Sequence, residues 1–104
     1  GEYLRQLQNI RINLPKKIKV SGYINVNLQI NKEGIISISS HNDAGLRVKP
    51  ISKKGYVVDL IKSGIYMKQF LPPRDKQNRL VNVKNWRLNF QVSQYKRRMI
   101  LRKQ

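Results

Sequence analysis

The chain has no cysteine, so disulfides, thiolate metal sites and a cysteine nucleophile are all excluded. The same absence leaves the redox compartment open. Acidic residues are scarce: five Asp and Glu stand against 22 Lys and Arg, a net charge of +17. The five, Glu2, Glu33, Asp43, Asp59 and Asp75, are scattered along the chain, so no paired carboxylates for acid–base work and no carboxylate metal cluster can be read from it. Histidine occurs once, at His41. Ser40 and Asp43 beside it supply the residue types of a hydrolytic triad, but triads converge from separate elements, and a solvated loop histidine is the plainer reading. The glycines lack phosphate-cradling spacing. No run of about 18 apolar residues is present, and Gly1-Glu2-Tyr3 lacks the basic-then-apolar order of a signal peptide. No enzyme, metal or cofactor is expected, and the start without Met suggests a fragment or processed form.

What is present is patterned. At 104 residues the chain is long enough for one domain with a modest core. From Gly22 to Ser40, Ile24, Val26, Leu28 and Ile30 alternate with Tyr23, Asn25, Asn27 and Gln29, the period of a half-buried strand. Asn31 to Gly34 supplies turn chemistry, and Ile36 and Ile38 resume the alternation on a returning strand. Upstream, Tyr3, Leu7, Ile10 and Leu14 fall at helical spacing, which predicts a short helix ended by Pro15 and a basic link of Lys16, Lys17 and Lys19. Residues 41–50 read as loop. Val57, Leu60, Ile61, Ile65 and Phe70 predict a second helix over 56–70, closed by Leu71-Pro72-Pro73. Trp86, Leu88, Phe90 and Val92 alternate with Arg87, Asn89 and Gln91 as a third strand, and the opposite register of Val81 and Val83 implies a bulge near Lys84-Asn85. The stretch after Ser93 is a basic extension readable as frayed strand, short helix or disorder.

These elements predict an α+β fold: a three-stranded antiparallel sheet with two helices packed on one face, a domain over 1–92 and a basic extension over 93–104. Two surfaces could carry function. One is the basic patch of Lys16, Lys17, Lys19, Lys53, Lys54, Lys96, Arg97, Arg98, Arg102 and Lys103, which with nearby tyrosines suits single-stranded nucleic acid or simply keeps the chain solvated. The other is the edge of the sheet, where a strand such as Trp86–Val92 invites another chain to add. Arg87 and Lys84 there could equally be edge protection.

In order and spacing the pieces resemble the C-terminal domain of the TonB and TolA group of periplasmic energy transducers. The resemblance covers about residues 3–92 and rests on Leu14-Pro15, Gly22-x-Ile24-x-Val26, Lys32-Glu33-Gly34-Ile35-Ile36, Val58-Asp59, Phe70-Leu71-Pro72-Pro73 and Leu88-Asn89-Phe90. It implies a periplasmic domain held to the inner membrane by an N-terminal helix outside this sequence. A proton-driven motor would engage that helix, and this domain would grip outer-membrane receptors. It also implies that the last strand receives a receptor segment by strand addition, through Trp86, Arg87, Leu88, Asn89, Phe90, Gln91 and Val92. The extension after Val92 runs past the pattern and, as an extra strand, could block or alter that edge. Nucleic acid is the less favoured partner, a structural adaptor of a secretion complex a further alternative, and a homodimer is left open.

Overall fold

The computed structural model describes residues 2–15 and 17–104, with side chains from Arg5 onward. The alternation in Gly22–Ile30 produces a long strand, but the sheet built on it has six strands rather than three. Helix α1 (Glu2–Gln8) leads into β1 (Asn9–Asn13), then β2 (Lys19–Ile30), β3 (Ile36–Asn42) and β4 (Leu46–Lys49). A 3-10 turn over Ile51–Lys53 opens helix α2 (Lys54–Tyr66), and β5 (Val83–Tyr95) and β6 (Arg98–Lys103) close the chain. All pairings are antiparallel, in the order β1-β6-β5-β2-β3, with β4 beside β2. Strands of 12 and 13 residues at about 3.3 Å per residue explain why the molecule is 49 Å long and only 22 by 20 Å across.

Three departures from the expected fold account for the extra strands. The first predicted helix stops at Gln8, because Ile10 and Ile12 alternate with Asn9, Arg11 and Asn13 and find a partner in β6. Leu7, Ile10 and Leu14 are buried on either reading, so their spacing does not discriminate. Tyr3's expected place on the helix lies outside the described side chains, and Lys16 of the basic link lies outside the described residues. Within the expected loop, Leu46 and Val48 alternate with Arg47 and Lys49 and pair with β2 from Lys19 to Gly22. The boundary expected at Val92 falls inside β5, which continues to Tyr95. Lys96, with φ of 55°, turns the chain back, and β6 pairs with β5 from Phe90 to Tyr95. Met99 and Leu101 of β6 are fully buried.

The sheet has one oily face. Ile24, Val26, Leu28 and Ile30 of β2, Leu88, Phe90 and Val92 of β5, Met99 and Leu101 of β6 and Ile10 of β1 join a single core with Val57, Val58, Ile61 and Ile65 of α2. Leu7 of α1 belongs to the same cluster. Helix α2 comes closest at Gly64, where an added Cβ would lie 2.7 Å from Cδ1 of Ile12. That tight approach is why a residue costing about 1 kcal/mol in a helix stands in its last turns. Among the described residues no helix packs on the other face, and no Asp or Glu falls on any strand.

Gly22 has φ of +101°, and the Gly45 carbonyl oxygen occupies the place its Cβ would take. This is the point where the neighbour of β2 changes from β3 to β4, with the Tyr23 N–H donating to the Gly45 oxygen at 3.0 Å. The bulge expected near Lys84-Asn85 has its counterpart in a register shift between Leu28 and Ile30 opposite β5, with Asn85 at φ of 55°.

Candidate functional site

Of the expected receiving strand, Trp86–Val92, the part from Phe90 to Val92 is not an edge. β5 lies between β2 and β6: Val92, Gln91 and Phe90 pair with Gly22, Tyr23 and Ile24 on one side and with Leu101, Arg102 and Lys103 on the other. The Gln104 N–H extends that contact by donating to the Asn89 oxygen at 2.8 Å. Trp86, Arg87, Leu88 and Asn89 pair with Leu28, Asn27, Val26 and Asn25 of β2. The physical reason is the extension itself, whose Met99 and Leu101 can reach the core only by lying beside β5.

The strands at the outside of the sheet are β1 on one side and β3 and β4 on the other. On β3, the Ile38 N–H is taken by the Tyr66 hydroxyl at 3.2 Å, so α2 caps part of that edge. The outer side of β1 has no strand neighbour among the described residues. Beside it runs a cleft of about 390 Å³ lined by Ile10, Ile12, Leu60, Ser63, Gly64 and Met67, with Arg11 and Lys68 at its margins. Met67 is 81% exposed. The small residues Ser63 and Gly64 keep the helix low against the strand and leave the cleft open. No charge on β1 points to the core side, since Ile10 and Ile12 occupy it, and inward charge is one of the devices that discourage strand addition.

The helix-free face of the sheet is the second feature. Its side chains can be placed from the register, because residues on one face alternate along a strand and stand opposite their partners across it. One row reads Asn13–Arg98–Tyr95, the next Arg11–Ile100–Ser93, and the next Asn9–Arg102–Gln91–Tyr23. Farther along come Asn89–Asn25–Asn42 and Arg87–Asn27–Ser40. One end is thus rich in arginine, with Arg47 and Lys49 on β4 adding to it, and the other is rich in amides. The amide end forms a shallow depression of about 470 Å³ whose polar lining includes Asn25, Asn27, Ser40, Asn42, Arg87 and Asn89. The side-chain oxygen of Asn27 is shut off from solvent there and accepts no hydrogen bond.

The basic patch read from the sequence is divided by the fold. Lys96, Arg97 and Arg98 gather with Asn13, Leu14 and Tyr95 around a depression of about 540 Å³ at the β5–β6 turn, and the Leu14 N–H donates to the Arg97 oxygen at 2.7 Å. Arg102 continues that cluster along β6, whereas Lys103 stands opposite Phe90 on the core side of the strand. Lys19 lies opposite Lys49, with the exposed Lys17 just before it. Lys53 and Lys54 sit apart, at the start of α2. The Lys53 ammonium is 6.0 Å from the Tyr56 ring, and that of Lys96 is 5.5 Å from the Tyr95 ring. Arg11 and Arg47 join the basic face although helical spacing and loop composition in their segments give no sign of it.

Gln94 is a structural residue that the sequence does not flag. Its side-chain oxygen accepts the Val20 N–H, and its amide donates to the Ile18 and Lys96 oxygens, each at 2.9 Å, tying β2 to the end of β5 beyond their ladder. Among the described residues, no three of His, Cys, Asp and Glu come together as metal ligands. Ser40 and His41 are adjacent on β3 and therefore point to opposite faces, which separates the triad residue types. The Asp75 carboxyl is held below its ordinary pKa of 3.8, first by the hydrogen bond from the Arg79 backbone N–H. The Arg79 side chain, at 2.8 Å, and the Gln77 N–H act in the same direction against partial desolvation. This local network shapes the loop after Pro73 and lies on no strand. Among the described residues no helix is long and apolar enough to cross a membrane. No family model, curated protein or solved structure matches the chain.

Proposed function

We propose that this chain is a non-enzymatic protein-binding domain of the TonB-like transducer kind, working in the periplasm and capturing an extended segment of an outer-membrane receptor by strand addition. The observation that carries the reading is the unpaired outer side of β1 beside the apolar cleft of α2. The resemblance supplies the transducer role, and the open outer side of β1 supports placing the receiving strand there rather than on β5. Strand addition needs a row of main-chain donors and acceptors for affinity and a pocket for alternate side chains for specificity. β1 offers the first and the cleft between Ile12, Leu60 and Met67 the second. Main-chain pairing tolerates varied receptor sequences, which suits a domain serving several receptors. The basic margin at Lys68 favours segments that carry an acidic residue beside apolar ones.

An amide NMR titration of the labelled chain with a short extended peptide from a candidate outer-membrane receptor tests this. The expected result is a set of shifts along Asn9–Asn13 and on α2 from Leu60 to Lys68, with slowed hydrogen exchange in β1. Shifts confined to other surfaces, with β1 silent, would refute the assignment.

A further inference from the structure

We infer that the helix-free face of the sheet is a second binding site, and that its ligand is an anionic polysaccharide. This goes beyond strand addition and does not rest on it: the face would bind through side chains that rise from the sheet, whereas strand addition uses the main chain of β1.

The argument begins with charge. The described strands carry no acidic residue, so no side chain rising from the strands on this face repels an anion. Arg98 and Arg102 of β6 flank Ile100, and Arg11 of β1 stands opposite that isoleucine. With about 6.8 Å between alternate residues of a strand and about 4.8 Å between strands, the three arginines are rooted in the sheet in a zigzag with backbone steps of about 8 Å. All three residues are exposed. Such a spacing suits charges that recur along a polymer better than one compact anion.

The amide end decides what kind of polymer. Asn25, Asn27 and Asn89 are neighbours there, and the Asn27 side-chain oxygen is enclosed yet accepts nothing. The exposed amides of Asn25, Asn42 and Asn89 line the same depression and are the groups a ligand hydroxyl would meet. Primary amides donate and accept at once, as sugar hydroxyls do. A single-stranded nucleic acid would instead need aromatic rings under successive bases. The exposed rings on this face, Tyr23 and Tyr95, are separated by Gln91 and Ser93, and the positions around Asn27 have none. The face therefore fits a hydroxyl-rich chain with regularly placed negative groups.

Binding of the whole chain to oligogalacturonate, neutral dextran oligomers and oligothymidylate at about 0.15 M salt separates the possibilities. Oligogalacturonate is expected to shift the side-chain amide signals of Asn25, Asn27 and Asn89, and to bind at least tenfold more tightly than dextran. Replacing two exposed arginines together, Arg98→Gln with Arg102→Gln, should weaken it about tenfold. Lys53→Gln with Lys54→Gln, which removes equal charge away from the face, should leave it within about twofold. Three results would each overturn the inference: tighter binding of oligothymidylate than of oligogalacturonate, equal losses in the two double variants, or unmoved asparagine amides. Each reads the sheet face alone, so a silent β1 in the receptor-peptide titration leaves them unaffected.

Discussion

If β6 belongs to the folded unit and is not a trailing extension, removing its two core side chains must cost a large share of the domain's stability. Met99 and Leu101 are both fully buried, facing Gln94 and Val92 of β5 and Ile12 and Ile10 of β1. Leucine or methionine to alanine at such sites costs about 2–5 kcal/mol each, and adjacent sites share part of that loss. Met99→Ala with Leu101→Ala should therefore lose about 4–8 kcal/mol against a total of about 5–15 for a domain of this size. Leu101→Ala alone should lose about 3 kcal/mol. With a urea slope of about 1.5–2 kcal/mol per molar, its unfolding midpoint falls by about 1.5–2 M. Trp86, the only tryptophan, packs at the edge of the core and reports the transition by fluorescence. Arg98→Ala, on the exposed side of the same strand, should shift stability by less than about 0.5 kcal/mol. An unchanged midpoint for Leu101→Ala would mean that residues after Tyr95 are not part of the cooperative unit, and β5 would again be an edge.

Gly22→Ala should cost about 2–4 kcal/mol, from the positive φ and from the Gly45 carbonyl that must move. A melting temperature within a degree of the parent would refute the tight β2–β4 junction. Because the folded pKa of Asp75 is depressed, its network supports the loop above the unfolded value and loses that support as pH falls through the folded one. The Asp75 carboxyl signal should accordingly titrate below 3.8 in NMR, and a midpoint at or above that value would contradict the Arg79 contacts.

What was legible in the sequence was whatever depended on nearby residues. β2, β3 and β5 follow from alternation, and α2 from the spacing of Val57, Ile61 and Ile65. The missing strands are those whose identity rests on distant partners. Ile10 and Ile12 sit in a segment where Leu7, Ile10 and Leu14 fit a helix equally well, and only pairing with residues 98–102 settles it. β4 offers a single alternation between Gly45 and Pro50, too little to distinguish from loop. In β6 the apolar residues Met99, Ile100 and Leu101 are consecutive, so no period can be read. The candidate site inherits these gaps. The abundance of Lys and Arg was plain, but their division between a sheet face, a turn and a helix start depends on register. Which strand is an edge depends on whether eight later residues fold back.

The added strands also set how a load would pass through the domain on the proposed function. A segment added to β1 pulls first on the β1–β6 ladder, five residue pairs long, and only then on the longer β5–β6 and β2–β5 ladders. Pulled along the strand, those five pairs share the load instead of opening one after another. They are held in place by Ile10 against the core and by Gly64 of α2 against Ile12. The short ladder would therefore yield before the central sheet, so that overload releases the partner together with β1 and leaves the β2–β5 core folded. A receiving edge on β5 would have put the same load directly on the longest ladder of the sheet. On that proposal, an edge two strands farther out would separate the gripping element from the element that holds the fold.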